Sequence, residues 1–125
     1  MKTIFKQHAA AFKATQSADG RWHQLLNDTK SFRETSVTAM AITSMIRGVR
    51  MKILSKDEYD PVIKLAWKGL LSTVLPNGTV TQVCCGTGIQ PTVQAYYDRP
   101  TSYTCSGPGG AGAVLYAAVD LAKGY

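Results

Sequence analysis

Apolar residues recur at helical spacing in four stretches of this chain, and the stretches differ in how much of each helix they cover. In the first, Ile4, Phe5, His8, Ala11 and Phe12 share one side, with Lys6 and Lys13 elsewhere on the surface. The third is the clearest. Tyr59, Val62, Ile63, Ala66, Trp67, Leu70, Leu71 and Val74 form one stripe, and Asp60, Lys64, Lys68 and Ser72 form the opposite one. Ser55 followed by Glu58 has the spacing of a capping box and predicts where this helix starts.

The second and fourth stretches are broader. From Thr35 to Ile53, one stripe holds Val37, Met40, Ala41, Ser44, Met45 and Gly48, and another holds Ala39, Ile42, Ile46, Val49 and Ile53. From Ala111 to Ala122 the helix is apolar nearly all round. A helix apolar on every side is expected to be buried on every side. The order predicted is therefore outer, inner, outer, inner. The fold class is all-α, with about two helical hairpins in which the second and fourth helices are more buried than the first and third.

The connections repeat as well. Asp19-Gly20-Arg21-Trp22-His23-Gln24 follows the first helix, and Asn77-Gly78-Thr79-Val80-Thr81-Gln82 follows the third. Both read Asp or Asn, Gly, any, apolar, any, Gln, and both lead from an outer helix towards an inner one. Repetition of a helical hairpin signals stacked units, as in a solenoid or an α/α toroid. Each unit in such a stack buries its faces only against neighbours, and two units leave inner helices short of partners. Residues 1–125 are accordingly expected to be a fragment of a larger helical domain, or an obligate part of an assembly that self-associates through uncovered inner helices.

Composition changes this picture little. The 125 residues are the size of one domain, and 45% of them are hydrophobic. A net charge of +6 would suit nucleic acid or another anionic partner. The bases Lys2, Lys6, Lys13, Lys64 and Lys68 are scattered over the polar sides of helices, however, and read as a solvated face. Neither nucleic acid nor membrane is expected as a partner, since no apolar run is long enough to span a bilayer. Met1 runs directly into a helical pattern with no secretory or transit segment, so a soluble protein of a reducing, cytoplasmic compartment is the default. Cys84, Cys85 and Cys105 lack the paired spacing of a zinc site and are expected as small buried thiols. No metal or cofactor is called for.

The connections carry the candidate chemistry. In a toroid they line one end of the ring, where a funnel-shaped pocket can form. Trp22, His23 and Gln24 would stand there, with Glu34, Thr35 and Ser36 at the start of the second helix and Thr87, Tyr97 and Arg99 in the long loop after Gly78. An indole offers a flat apolar face to a sugar ring, and amides, hydroxyls and carboxylates bond its hydroxyls in both directions. Structural roles stand beside these. Trp22 equally suits a plug at the end of the bundle, His23 a satisfied structural histidine, and Thr35 or Ser36 an N-cap. Gly86-Thr87-Gly88 lacks the Gly-Lys-Ser/Thr of a phosphate loop. Glu34 has no second acid beside it for paired-carboxylate glycosidic chemistry.

Four segments in order, DGRWHQLLND, SFRETSVTAMAITSMIRGV, NGTVTQVCCGTG and QAYYDRP, resemble the unsaturated rhamnogalacturonyl and glucuronyl hydrolases of glycoside hydrolase families 88 and 105. The resemblance covers nearly the whole chain but corresponds only to the last third of such an enzyme. It implies a six-hairpin α/α toroid and an oligosaccharide substrate, from pectin or similar polysaccharides, that ends in a 4,5-unsaturated uronic acid. In these hydrolases an aspartate protonates the C4=C5 bond, water adds at C5, and the hemiketal opens to a ketone, freeing the formerly unsaturated terminal sugar. That aspartate lies in an earlier hairpin, so no residue here inherits the catalytic role. The resemblance also favours the sugar-rim role for Trp22 and Gln24. Family members often carry His or Arg with an acid before the last inner helix, where this chain has Thr104-Cys105-Ser106-Gly107-Pro108-Gly109. The alternative to a hydrolase segment is a truncated, non-catalytic helical-repeat module that binds carbohydrate or a partner chain.

Overall fold

The computed structural model of the chain describes residues 1–101 and 108–125. Helix α1 spans Lys2–Ala14, α2 Thr35–Arg50, α3 Lys56–Leu71, α4 Val93–Tyr97 and α5 Pro108–Ala122. Two short strands, β1 (Trp22–His23) and β2 (Arg33–Glu34), pair antiparallel with Trp22 opposite Glu34 and His23 opposite Arg33. The all-α expectation is thus right for most of the chain and is corrected by this small sheet, while α4 adds to the four helices expected. Both lie in connections where no helical periodicity exists to be read.

Helix α2 is the centre. It packs against α3 on one side and α5 on another, and Ile42, Ile46, Ile63 and Leu70 are fully enclosed between them. It ends at Arg50 rather than at Ile53, because Lys52 takes a left-handed backbone (φ 56°). Its N–H then donates to Val49 O and that of Ile53 to Gly48 O, each at 2.9 Å, closing a Schellman motif. Helix α3 starts at the predicted place, but the capping box does not form. Ser55 makes no side-chain cap bond, and Glu58 pairs instead with Lys13 of α1 at 2.9 Å.

The repeat read from the two connections holds bond for bond. Ser17 N–H donates to Arg21 O, Gly20 N–H to Ser17 O, and Arg21 N–H to Asp19 Oδ1. Fifty-eight positions on, Leu75 N–H donates to Thr79 O, Gly78 N–H to Leu75 O, and Thr79 N–H to Asn77 Oδ1. Gly20 and Gly78 have φ of 89° and 83°, a backbone that disfavours side chains.

The burial order needs a correction. Helix α2 is the most buried, as expected, and α1 buries only Ala9. Helix α5, apolar nearly all round, is covered only where Gly110, Val114, Ala117 and Asp120 face the rest of the chain. On its other side Leu115 and Tyr116 are each 65% exposed and Val119 is 49% exposed. The outer α3 is covered better than this inner helix, because α5 lies at an open edge. Its foot is nevertheless clamped to α2, with Asp120 accepting from Arg47 Nε at 2.7 Å and from Arg50 Nη1 at 3.0 Å.

The cysteines also depart from expectation. Cys85 is disulfide-bonded and Cys84 is free and half-buried. Both sit in the loop after Gly78, just beyond Val80 and Val83, which are buried in the core. Cys105 lies outside the described residues, as does the segment from Thr104 to Gly107.

Candidate polysaccharide-facing rim

At the end of the bundle where α2 begins, a depression of about 390 Å³ is bounded by Gln24, Glu34, Ser36 and Thr87, together with Cys84 and Tyr96. Four of the residues expected from the sequence therefore meet. Gln24 leaves β1 with its Nε2 donating to Thr87 Oγ1 at 2.8 Å, and Thr87 Oγ1 also lies 2.8 Å from Cys84 Sγ. The Gln24 Oε1 is enclosed and finds no hydrogen-bond partner among the described residues, which leaves one acceptor at the rim unsatisfied.

Glu34 is the organiser of this corner and the N-cap of α2, a role expected of Thr35 or Ser36. Its carboxylate accepts from Ser36 N at 3.1 Å, Val37 N at 2.6 Å and Ser36 Oγ at 2.8 Å. Cys84 N adds a further donor at 3.0 Å. A carboxylate so supplied is a cap and a loop anchor. Thr35 is fully buried and donates from Oγ1 to Thr81 O at 2.7 Å, which ties the second connection to the head of α2.

Trp22 and His23 lie beneath the rim rather than on it, which corrects their placement as sugar contacts. The indole is fully buried, donates from Nε1 to Phe12 O at 2.7 Å and packs against the Phe12 ring with centroids 5.7 Å apart. No face remains for a ring to stack on. The apolar side of α1 claims the indole, and the carbonyl of Phe12 satisfies its only donor. His23 is buried with Nδ1 against Ser31 O, and a carbonyl only accepts, so the proton sits on Nδ1.

Tyr97 and Arg99 do not bound the depression. Tyr97 donates its hydroxyl to Asp28 Oδ2, and Arg99 Nη2 donates to Gly86 O, bracing the loop from behind. The bond from Tyr97, then the Lys30 N–H, hold the Asp28 carboxyl below its ordinary value, and the same bond pushes the Tyr97 phenol up. Asp28, Cys84 and Tyr96 are neighbours that the sequence reading passed over as contacts. The only sequence signal was the crowding of polar and aromatic residues in the QAYYDRP segment.

Residues 1–125 match Glycosyl Hydrolase Family 88 over their whole length. The chain belongs to this family. No curated protein matches it. Among solved structures it is similar to a possible member of glycoside hydrolase family 105 from Salmonella enterica serovar Paratyphi A, at 25% identity and a TM-score of 0.91 over 98% of this chain and 31% of that one. It is also similar to a family 88 glycosyl hydrolase from Bacteroides vulgatus (26% identity, TM-score 0.78, 98% of this chain and 34% of that one). A polysaccharide lyase is a third (27% identity, TM-score 0.74, 92% and 32%). The family 88 chain thus spans about a third of the length of the structures that it matches. Among its described residues no group of three His, Cys, Asp or Glu side chains is placed to hold a metal, and no helix is long and apolar enough to cross a membrane.

Proposed function

We propose that residues 1–125 form the last third of a six-hairpin α/α toroid, a hydrolase of oligosaccharides that end in a 4,5-unsaturated uronic acid. The carrying observation is the family match across all 125 residues, set beside a polar depression at the loop end of the bundle. In this reading Gln24, Ser36 and Thr87 are rim contacts for sugar hydroxyls, and the unsatisfied Gln24 Oε1 awaits a donor from the substrate. Glu34 positions them by fixing Ser36 and the Cys84 backbone. An aspartate of an earlier hairpin protonates the C4=C5 double bond, water adds at C5, and the hemiketal opens. The hydration is therefore a property of the completed ring.

The test is a chimera in which residues 1–125 replace the last third of a family 88 enzyme, assayed by loss of the ultraviolet absorbance of the conjugated uronate. The chimera is expected to turn over unsaturated disaccharides, and the purified 125-residue chain is expected to be inactive. A folded chimera without turnover, or a purified chain with turnover, overturns the reading. The uncovered side of α5 favours a second reading, a non-catalytic helical module that docks on a partner chain. Saturable binding of the uronate oligosaccharide to a chimera that never hydrolyses it would favour that module.

A further inference from the structure

The two connections that repeat in sequence also meet in space. At the rim Gln24 Nε2 donates to Thr87 Oγ1 at 2.8 Å. Away from the rim Arg21 Nη1 donates to Gln82 Oε1. Among the described residues these are the hydrogen bonds between side chains of 15–24 and side chains of 72–87. The first pair borders the depression, and the second does not. Arg21 is only 8% exposed, which is uncommon for an arginine and calls for a built environment.

Asp19 supplies the turn and the orientation together. Its Oδ1 accepts the Arg21 N–H at 3.2 Å and closes the turn, while its Oδ2 accepts Arg21 Nε at 2.9 Å. A planar guanidinium held at Nε has the direction of its other donors set, and Nη1 falls on Gln82. The equivalent turn has Thr79 in place of Arg21, and a neutral Asn77 closes it. The repeat thus carries Asp where its turn also holds a guanidinium, and Asn where it does not. Helix α3 makes the room. A Cβ at Gly69 would lie 2.2 Å from Asp19 O and 2.9 Å from Arg21 Cγ.

Gln82 has a left-handed backbone, φ 57°, without being a glycine. Such a residue persists where its surroundings fix it. Its carbonyl accepts the Thr35 N–H at 3.0 Å, and its side chain accepts from Arg21. The chain then sends Val83 into the core and presents the Cys84 N–H to Glu34 at 3.0 Å. Thr87 follows, with its Oγ1 2.8 Å from Cys84 Sγ.

We propose that Arg21 is a positioning residue for the rim. Through Gln82 it holds the second connection against the first, and so keeps Thr87 opposite Gln24. It touches no sugar itself. The effect on substrate rests on the hydrolase reading above, whereas the clamp does not. Every group of the clamp belongs to this chain, so hairpins added elsewhere in the ring leave it in place.

Two readouts test it. In the chimera, Gln82→Met comes first, because Gln82 is exposed and its replacement spares the core. KM for the unsaturated disaccharide is expected to rise several-fold with kcat close to that of the parent, as for a lost binding contact. Arg21→Met keeps much of the buried stem and is expected to behave alike. The double variant is expected to be no worse than the poorer single one, since both break one bond. Gln82→Glu retains an acceptor for the guanidinium and is expected to keep the parental KM. A folded Gln82→Met chimera with parental KM, a Gln82→Glu as impaired as Gln82→Met, or additive losses would overturn the proposal.

The second readout needs no turnover. Alkylation of the Cys84 thiol by iodoacetamide in the 125-residue chain is followed by mass at the Cys84 peptide. It is expected to be several-fold faster in Arg21→Met and Gln82→Met, and unchanged in Gln82→Glu. Equal rates in all four proteins would overturn the clamp. An inactive chimera therefore sinks the hydrolase reading alone, and the labelling rate still decides the role of Arg21.

Discussion

The carboxylate of Glu34 accepts the backbone N–H of Cys84 at 3.0 Å, joining two residues 50 positions apart. The same side chain caps α2 through Ser36 N and Val37 N. One residue therefore starts the central helix and anchors the loop that forms the far wall of the rim. Glu34→Ala removes both functions at once. The cap alone is worth about 0.5–2 kcal/mol, and the lost bond to the half-buried Cys84 N–H adds about 1 kcal/mol. A lower melting temperature, with faster amide exchange at Cys84 than in the rest of the loop, is the expected outcome. Faster exchange confined to the α2 start would show that the loop is held by other means.

Trp22→Ala tests the scaffold role of the indole. Truncating a fully buried aromatic side chain costs about 3–5 kcal/mol, and the Phe12 carbonyl loses one of its donors, keeping those of Thr15. Thermal or denaturant unfolding of the chimera should show the loss, while the fraction that remains folded keeps its kinetics. Unchanged melting with impaired turnover would return Trp22 to the sugar site.

Gln24→Ala should divide the other way. The side chain is half-buried and among the described residues its amide bonds only Thr87 Oγ1, so removal leaves the core untouched. A lost substrate hydrogen bond is worth about 1 kcal/mol, several-fold in kcat/KM. Chimeras with and without the substitution should melt together and differ in kcat/KM for the unsaturated disaccharide. Equal kcat/KM would remove Gln24 from the rim.

Acid should loosen the foot of the bundle through Asp120. Burial works to raise its carboxyl, but the hydrogen bonds and charges of Arg50 and Arg47 outweigh it and hold the group below the usual carboxylate value. A depressed folded value means that the clamp contributes fully above the unfolded carboxylate value of about 4. The contribution is lost as pH falls through the lower folded value. Asp120→Asn should lower the melting temperature near neutrality and flatten its fall below about pH 4. A variant whose melting temperature tracks that of the parent through the acid range would show that other carboxylates govern acid unfolding.

The sequence by itself determined what depends on neighbours a few residues away. Apolar spacing set the helices, including the breadth of the stripes on α2. The Asp19-Gly20 and Asn77-Gly78 pairs set two turns alike in every backbone bond, because an Asx side chain and a glycine close such a turn locally. It also put Gln24 and Thr87 at one end, since the connections that lead from an outer helix into an inner one share one end of an antiparallel bundle. Only the tertiary structure decided which way each rim side chain turns. Trp22 faces inward because α1 folds back over β1 and offers both a ring and a carbonyl. Glu34 became a loop anchor because Cys84 arrived beside it, and Glu58 left its capping box because Lys13 was within reach. Helix α5 shows the same division most plainly. Its composition states that it belongs in an interior, but burial is a property of what stands next to a helix, and here Leu115, Tyr116 and Val119 stay exposed on its outer side.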